Sequence, residues 1–116
     1  TPGFNSVGAV GMWLHYLGED YDRSSTSPYA APARAENFAD LPPAFIQTNG
    51  LDPLRDEGIE YGLKLLAAGI PVELYNCPGA YHGAPPLDSR TAGLSFQIYN
   101  AALGAALNPD EPTSGL

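Results

Sequence analysis

The chain has 116 residues, 44% hydrophobic and 16% charged, which suits one globular domain and not a disordered segment. A formal charge of -8 with only five Lys and Arg, and no basic run, would repel a phosphate backbone, so nucleic acid is not an expected partner. Cys77 is the only cysteine, which excludes an internal disulfide and a Cys-based zinc site and favours a reducing, cytoplasmic compartment; no run of 18 apolar residues offers a membrane span.

The chain opens at Thr1, without Met and inside a loop-like stretch, so further residues are expected before it. Ser6 is the expected N-cap of a helix reaching Tyr16 or Leu17, with Val10, Trp13, Leu14 and Leu17 at helical steps and Gly18 as its end. Residues 19–40, rich in Ser, Pro, Ala and Asp, predict an irregular surface connection. The apolar run 44–48 predicts a strand covered on both faces.

Asp52 followed by Pro53 has the form of an N-cap with Pro at the first helical position, opening a helix over 54–68 that closes at Gly69. Leu54, Tyr61, Leu65 and Ala68 supply its apolar stripe, and Gly58 and Gly62, four apart, let it lie close to a sheet. Residues 71–76 predict a second strand, with Val72, Leu74 and Asn76 on one face and Glu73, Tyr75 and Cys77 on the other. A last helix over 91–107 carries Phe96, Tyr99, Leu103 and Leu107 at helical steps. The organisation is therefore 1–40, a helix and irregular connection; 41–107, strand, helix, strand, helix; and 108–116, a fraying tail. Two parallel strands do not make a stable doubly covered sheet alone, so the chain reads as the end of a larger α/β sheet.

The chemistry lies in the two loops that leave the strands. Asp52 and His82 follow successive parallel strands, whose carboxyl ends lie about 4.8 Å apart, within reach of a carboxylate–imidazole hydrogen bond. Such a carboxylate holds an imidazole in one tautomer and stabilises the imidazolium. On local signals alone Asp52 is equally well a helix cap and His82 an exposed or capping loop histidine. Asp56 and Glu57 suit the positive end of a helix dipole, so no metal is expected there. Arg55 is expected to steady the loop, and His15 to pack or face solvent.

Leu41-Pro-Pro, Asp52-Pro-Leu-Arg-Asp-Glu-Gly58, Ala67-Ala-Gly-Ile-Pro-Val-Glu73 and Pro78-Gly-Ala-Tyr-His-Gly83, in that order, resemble the C-terminal segment of the bacterial hormone-sensitive-lipase-like esterases of the α/β-hydrolase fold. The resemblance covers most of residues 6–107. It implies that Asp52 and His82 are the acid and base of a Ser-His-Asp triad in a carboxylesterase for small esters, without metal or organic cofactor. It further implies that Trp13 and the 27–32 segment lie beside the acyl or alcohol pocket, with 1–40 near the cap, and it suggests a homodimer through the last strand and helix. Tyr81, beside His82, either lines the pocket or shields the loop.

The family's Gly-x-Ser-x-Gly elbow and His-Gly-Gly loop do not occur in these 116 residues. Ser6, Ser95 and Cys77 do not fit as nucleophiles: neither serine sits between the two glycines an elbow requires, and a Cys at a strand end is commonly a buried structural residue. The expected partner is thus a Ser-bearing N-terminal half or a second chain. The alternative is a non-catalytic hydrolase segment that associates with another chain or with itself through its open sheet edge.

Overall fold

The computed structural model describes residues 5–83 and 90–110. Its elements run α1 (Ser6–Leu17), 3₁₀ turns at Arg23–Ser25 and Pro32–Arg34, β1 (Ala44–Asn49), α2 (Arg55–Ala67), β2 (Val72–Cys77) and α3 (Arg90–Leu107). β1 and β2 form a two-stranded parallel sheet, in register from Ala44 opposite Val72 to Asn49 opposite Cys77, and α2 is their crossover. This is the expected α/β arrangement of two parallel strands with flanking helices.

Two helix starts and the connection between α1 and β1 differ from the sequence reading. The cap of α1 is Asn5, whose Oδ1 accepts from Gly8 N at 3.0 Å, so Ser6 is the first helical residue. Asn and Ser cap almost equally well, so the sequence does not separate adjacent candidates. α2 begins at Arg55, because Asp52 Oδ1 accepts from Leu54 N at 2.9 Å and the 52–54 segment forms a tight turn ahead of the helix. The connection over 19–40 carries two single 3₁₀ turns. The first is held by Asp22, whose carboxylate accepts from both the main-chain N and the hydroxyl of Ser24.

The far end of α2 closes as expected. Gly69 takes φ 81°, its N–H donates to Leu66 O, and Ile70 N donates to Leu65 O. This pair of bonds satisfies the last carbonyls and needs a residue at ease in the left-handed region.

The strand faces alternate as predicted. Ile46, Thr48 and Leu74 meet α2, where Leu65 is 2% exposed. Phe45 and Gln47 meet α3: the rings of Phe45 and Tyr99 stand edge-on with centroids 6.2 Å apart, and Gln47 Nε2 donates to Ser95 Oγ at 2.9 Å. Ser95 is buried in this role, as its structural reading required.

The two α2 glycines do different work. A Cβ on Gly58 would lie 2.8 Å from Thr48 Cγ2, whereas one on Gly62 would make ordinary contacts from 3.4 Å outward with Ile46 and Leu74. Only Gly58 is required for the close approach.

The packed core is small: Phe38, Leu65, Cys77 and Ala80 are its buried apolar residues among those described. Phe38 closes the connection onto α2 through an edge-on contact with Tyr61, centroids 6.0 Å apart, and Lys64 Nζ donates to Ala33 O. Ala68 is exposed, so the α2 stripe ends at Leu65. No residue of α1 is buried, and on α3 Phe96, Tyr99, Leu103 and Leu107 remain between 43% and 71% exposed. β1 is correspondingly half-buried along most of its length, with α2 against one face and α3 reaching the other at Phe45 and Gln47, so its cover is partial. The expected tail lies outside the described residues from 111 onward. Among the described residues no helix is long and apolar enough to cross a membrane.

Candidate active site

The carboxyl ends of the strands feed two loops, 50–54 and 78–83, and the main chain ties these loops together. Gly50 N donates to Cys77 O at 2.8 Å and Leu51 N to Ala80 O at 2.8 Å, so the strand pairing continues past the strand ends. Arg55 Nη1 reaches back to Gly50 O at 2.8 Å while its Nε pairs with Asp56 Oδ1 at 2.8 Å. Arg55 thereby steadies the first loop, as the sequence reading expected. The Arg55 guanidinium lowers the pKa of the Asp56 carboxyl from its usual value, and Asp56 raises that of Arg55.

This framework brings Asp52 and His82 together across thirty residues of sequence. His82 Nδ1 lies 2.8 Å from Asp52 Oδ2. The Asp52 side chain is 10% exposed and that of His82 is 48% exposed, so the carboxylate is sheltered behind the ring it contacts. Each carboxylate oxygen has a separate partner: Oδ1 takes the Leu54 N–H and Oδ2 takes the imidazole. The capping-type and acid-type readings of Asp52 are therefore compatible, one per oxygen. A carboxylate so fixed selects the tautomer with the proton on Nδ1 and leaves the other ring nitrogen as the basic atom.

Trp13 lines a cleft of about 330 Å³ with Val10 and Leu17 of α1, Tyr21 and Ala31 of the connection, and Glu57 of α2. Asp52, Tyr81 and His82 are not among its lining residues. Tyr81 is half-buried, and its carbonyl accepts from Asn49 Nδ2 at 3.1 Å. The structure therefore joins Asp52, Tyr81 and His82 at one end of the sheet and puts Trp13 in a separate cleft. Cys77 is fully buried and His15 is exposed. Burial, with Cys77 close by, pushes the Tyr75 phenol up from its usual value.

Asn49 is a site residue that sequence reasoning missed. A polar amide at the last position of a strand was the available signal, since its side chain leaves the sheet beside the next strand's loop.

Residues 5–85 match a family described as alpha/beta hydrolase fold. Esterase LipI of Mycobacterium tuberculosis is 50% identical over 78 residues, which is 67% of this chain and 23% of LipI. Carboxylic ester hydrolase LipN of the same organism is 42% identical over 73 residues, 61% of this chain and 19% of LipN. Among solved structures, a bacterial heroin esterase superposes with TM-score 0.78 and 43% identity over 84% of this chain and 32% of its own. Esterase LipW from Mycobacterium marinum superposes with TM-score 0.81 and 35% identity, covering 92% of this chain and 33% of its own. The chain thus spans about a fifth of the curated relatives and about a third of the structural ones.

Proposed function

Because the chain belongs to the α/β-hydrolase fold family, in its hormone-sensitive-lipase-like branch, we propose that it carries the acid and base of a serine carboxylesterase acting on small carboxylic esters. The observation that carries this reading is the 2.8 Å contact of His82 Nδ1 with Asp52 Oδ2 at the carboxyl ends of adjacent parallel strands. The nucleophile is a serine on a segment outside these 116 residues, and its oxyanion donors lie with it.

In the reaction, the second ring nitrogen of His82 takes the seryl hydroxyl proton as the oxygen attacks the ester carbonyl. The tetrahedral intermediate collapses to an acyl-serine, and His82 returns the proton to the leaving alcohol. Water then gives its proton to the same nitrogen, attacks the acyl group and releases the acid with the serine restored. Asp52 keeps its negative charge throughout and stabilises the imidazolium. Acyl transfer of this kind runs without a metal or organic cofactor. Tyr81 lines the entry beside His82, whereas the cleft that Trp13 lines stands apart from the pair.

The exposed Phe96, Leu103 and Leu107 of α3, with the unburied face of α1, suit coverage by the Ser-bearing segment. A non-catalytic segment that self-associates through the same surfaces is the second reading, favoured by the same exposure. The deciding measurement is hydrolysis of a short-chain chromogenic ester, with intact mass recorded on the same sample. The 12.2 kDa chain alone is expected to show no turnover. A sample containing the Ser-bearing segment is expected to turn over and to lose that activity in His82→Ala. Turnover that survives His82→Ala overturns the reading.

A further inference from the structure

We infer that Asn49 is a positioning residue for the acid and base, holding the His82 loop against the Asp52 loop from the last position of β1. The inference rests on the reading of Asp52 and His82 as a working pair. Asn49 is bonded to both loops. Its main-chain carbonyl accepts from Asp52 N at 3.1 Å, and its side-chain Nδ2 donates to the carbonyl of Tyr81, the residue before His82, at 3.1 Å. One residue of the sheet therefore reaches the backbone of the acid directly and the backbone of the base at one remove.

The amide orientation is fixed by its partner. Turning the side chain over would set Oδ1 against the Tyr81 carbonyl oxygen, an acceptor facing an acceptor. The cost of keeping the amide is visible: Asn49 Oδ1 is buried and has no hydrogen-bond partner among the described residues. A buried acceptor left so costs about 1–3 kcal/mol, and an aliphatic side chain of similar size would fill the site without it. The donor arm is what such a side chain would lack.

The His82 ring is half-exposed, so packing alone does not fix it. Its place depends on the 78–83 backbone, which the main chain pins at Cys77 and Ala80 and the Asn49 amide pins at Tyr81. Acid–base pairs must be held to within about 0.5 Å, and of these three main-chain pins the one at Tyr81 adjoins His82 in sequence.

The test reads the tautomer and the bond, not turnover. Ring ¹⁵N shifts of His82 are recorded in the protein that joins this chain to its Ser-bearing segment, at about pH 9, where imidazole is neutral, in the wild type, Asp52→Asn and Asn49→Ala. Exposed His15 serves as the internal control. Asn49→Ala is expected to move the His82 pair of shifts from the Nδ1–H tautomer toward a mixture, in the direction Asp52→Asn moves them, with His15 unchanged. In the wild type, the Asn49 side-chain amide protons are expected to exchange at least about tenfold more slowly than those of exposed Asn37, which decides the matter even if Asn49→Ala does not fold. If Asp52→Asn moves the His82 shifts and Asn49→Ala does not, or if the two amides exchange alike, the positioning role is overturned and the pair stands. If Asp52→Asn also leaves His82 unmoved, the pair itself fails and the inference falls with it.

Discussion

The segment from β1 to His82 and the two helices that flank it obey different rules. Within the segment, strand pairing, the α2 crossover and the loop-to-loop bonds satisfy one another, and Leu65, Cys77 and Ala80 are buried by residues of the segment or close to it. On α1 and α3 the apolar residues recur at helical steps, yet Val7, Tyr16, Phe96 and Leu107 are each more than 60% exposed. A helical apolar stripe reports that something covers it, and the first region supplies its own cover while the second does not.

The contrast is broken most strongly at Leu65. Leu65→Ala should cost about 2–5 kcal/mol in denaturant unfolding, since the side chain, on the buried face of α2, is 2% exposed. A loss below about 1 kcal/mol would show that the segment is not packed as described.

Gly58→Ala comes next, with an expected loss of about 1–2 kcal/mol. The new methyl must displace Thr48 Cγ2, whose rotation breaks the 2.8 Å bond from Thr48 Oγ1 to Asn76 Oδ1, and the gain of about 1 kcal/mol in helix propensity offsets only part of that. Gly62→Ala has no such collision and should be neutral or stabilising by up to about 1 kcal/mol, so the two glycines read oppositely in one pair of melts.

On the flanks the expected effect is smaller. Phe96→Ser should change the stability of the 116-residue chain by no more than about 0.5 kcal/mol while raising its solubility, because the ring is 69% exposed. A larger loss would show that α3 is covered within this chain.

The smallest effect concerns Asp22, in the connection. The hydroxyl of Ser24 first, and then its main-chain N–H, hold the carboxyl below the usual 3.8, so these bonds favour the folded state above the unfolded value and are lost as pH falls through the folded one. A carboxyl ¹³C titration should place the Asp22 midpoint below 3.8 and return it toward that value in Ser24→Ala.

The same division governs how much was legible in the sequence. Where local pattern and tertiary packing agree, as in the alternation of β1 and β2 or the Gly69 helix end, the reading and the fold coincide. Where two residues of equal capping strength stand side by side, as Asn5 and Ser6 do, only the path of the chain chooses between them. Asp52 as the α2 cap was plausible chemistry, but its Oδ1 accepts from Leu54 in a turn ahead of the helix, and its Oδ2 serves His82. The apolar stripe of α3 was legible and its cover was not, because periodicity states which face is apolar and not what meets it. The Asn49–Tyr81 bond was invisible for a related reason: it exists only once two loops thirty residues apart are set in register.

That register limits how the chain can be re-engineered. Because Gly50 and Leu51 are hydrogen-bonded to Cys77 and Ala80, neither loop can gain or lose a residue before Asp52 or His82 without carrying its side chain past the other's reach. Insertions are confined to what lies beyond the knots, and the two loops are bound to change length together or not at all. The lengths of the 50–52 and 78–82 steps are thus mechanical settings of the pair, whereas α2 between them carries no such tie.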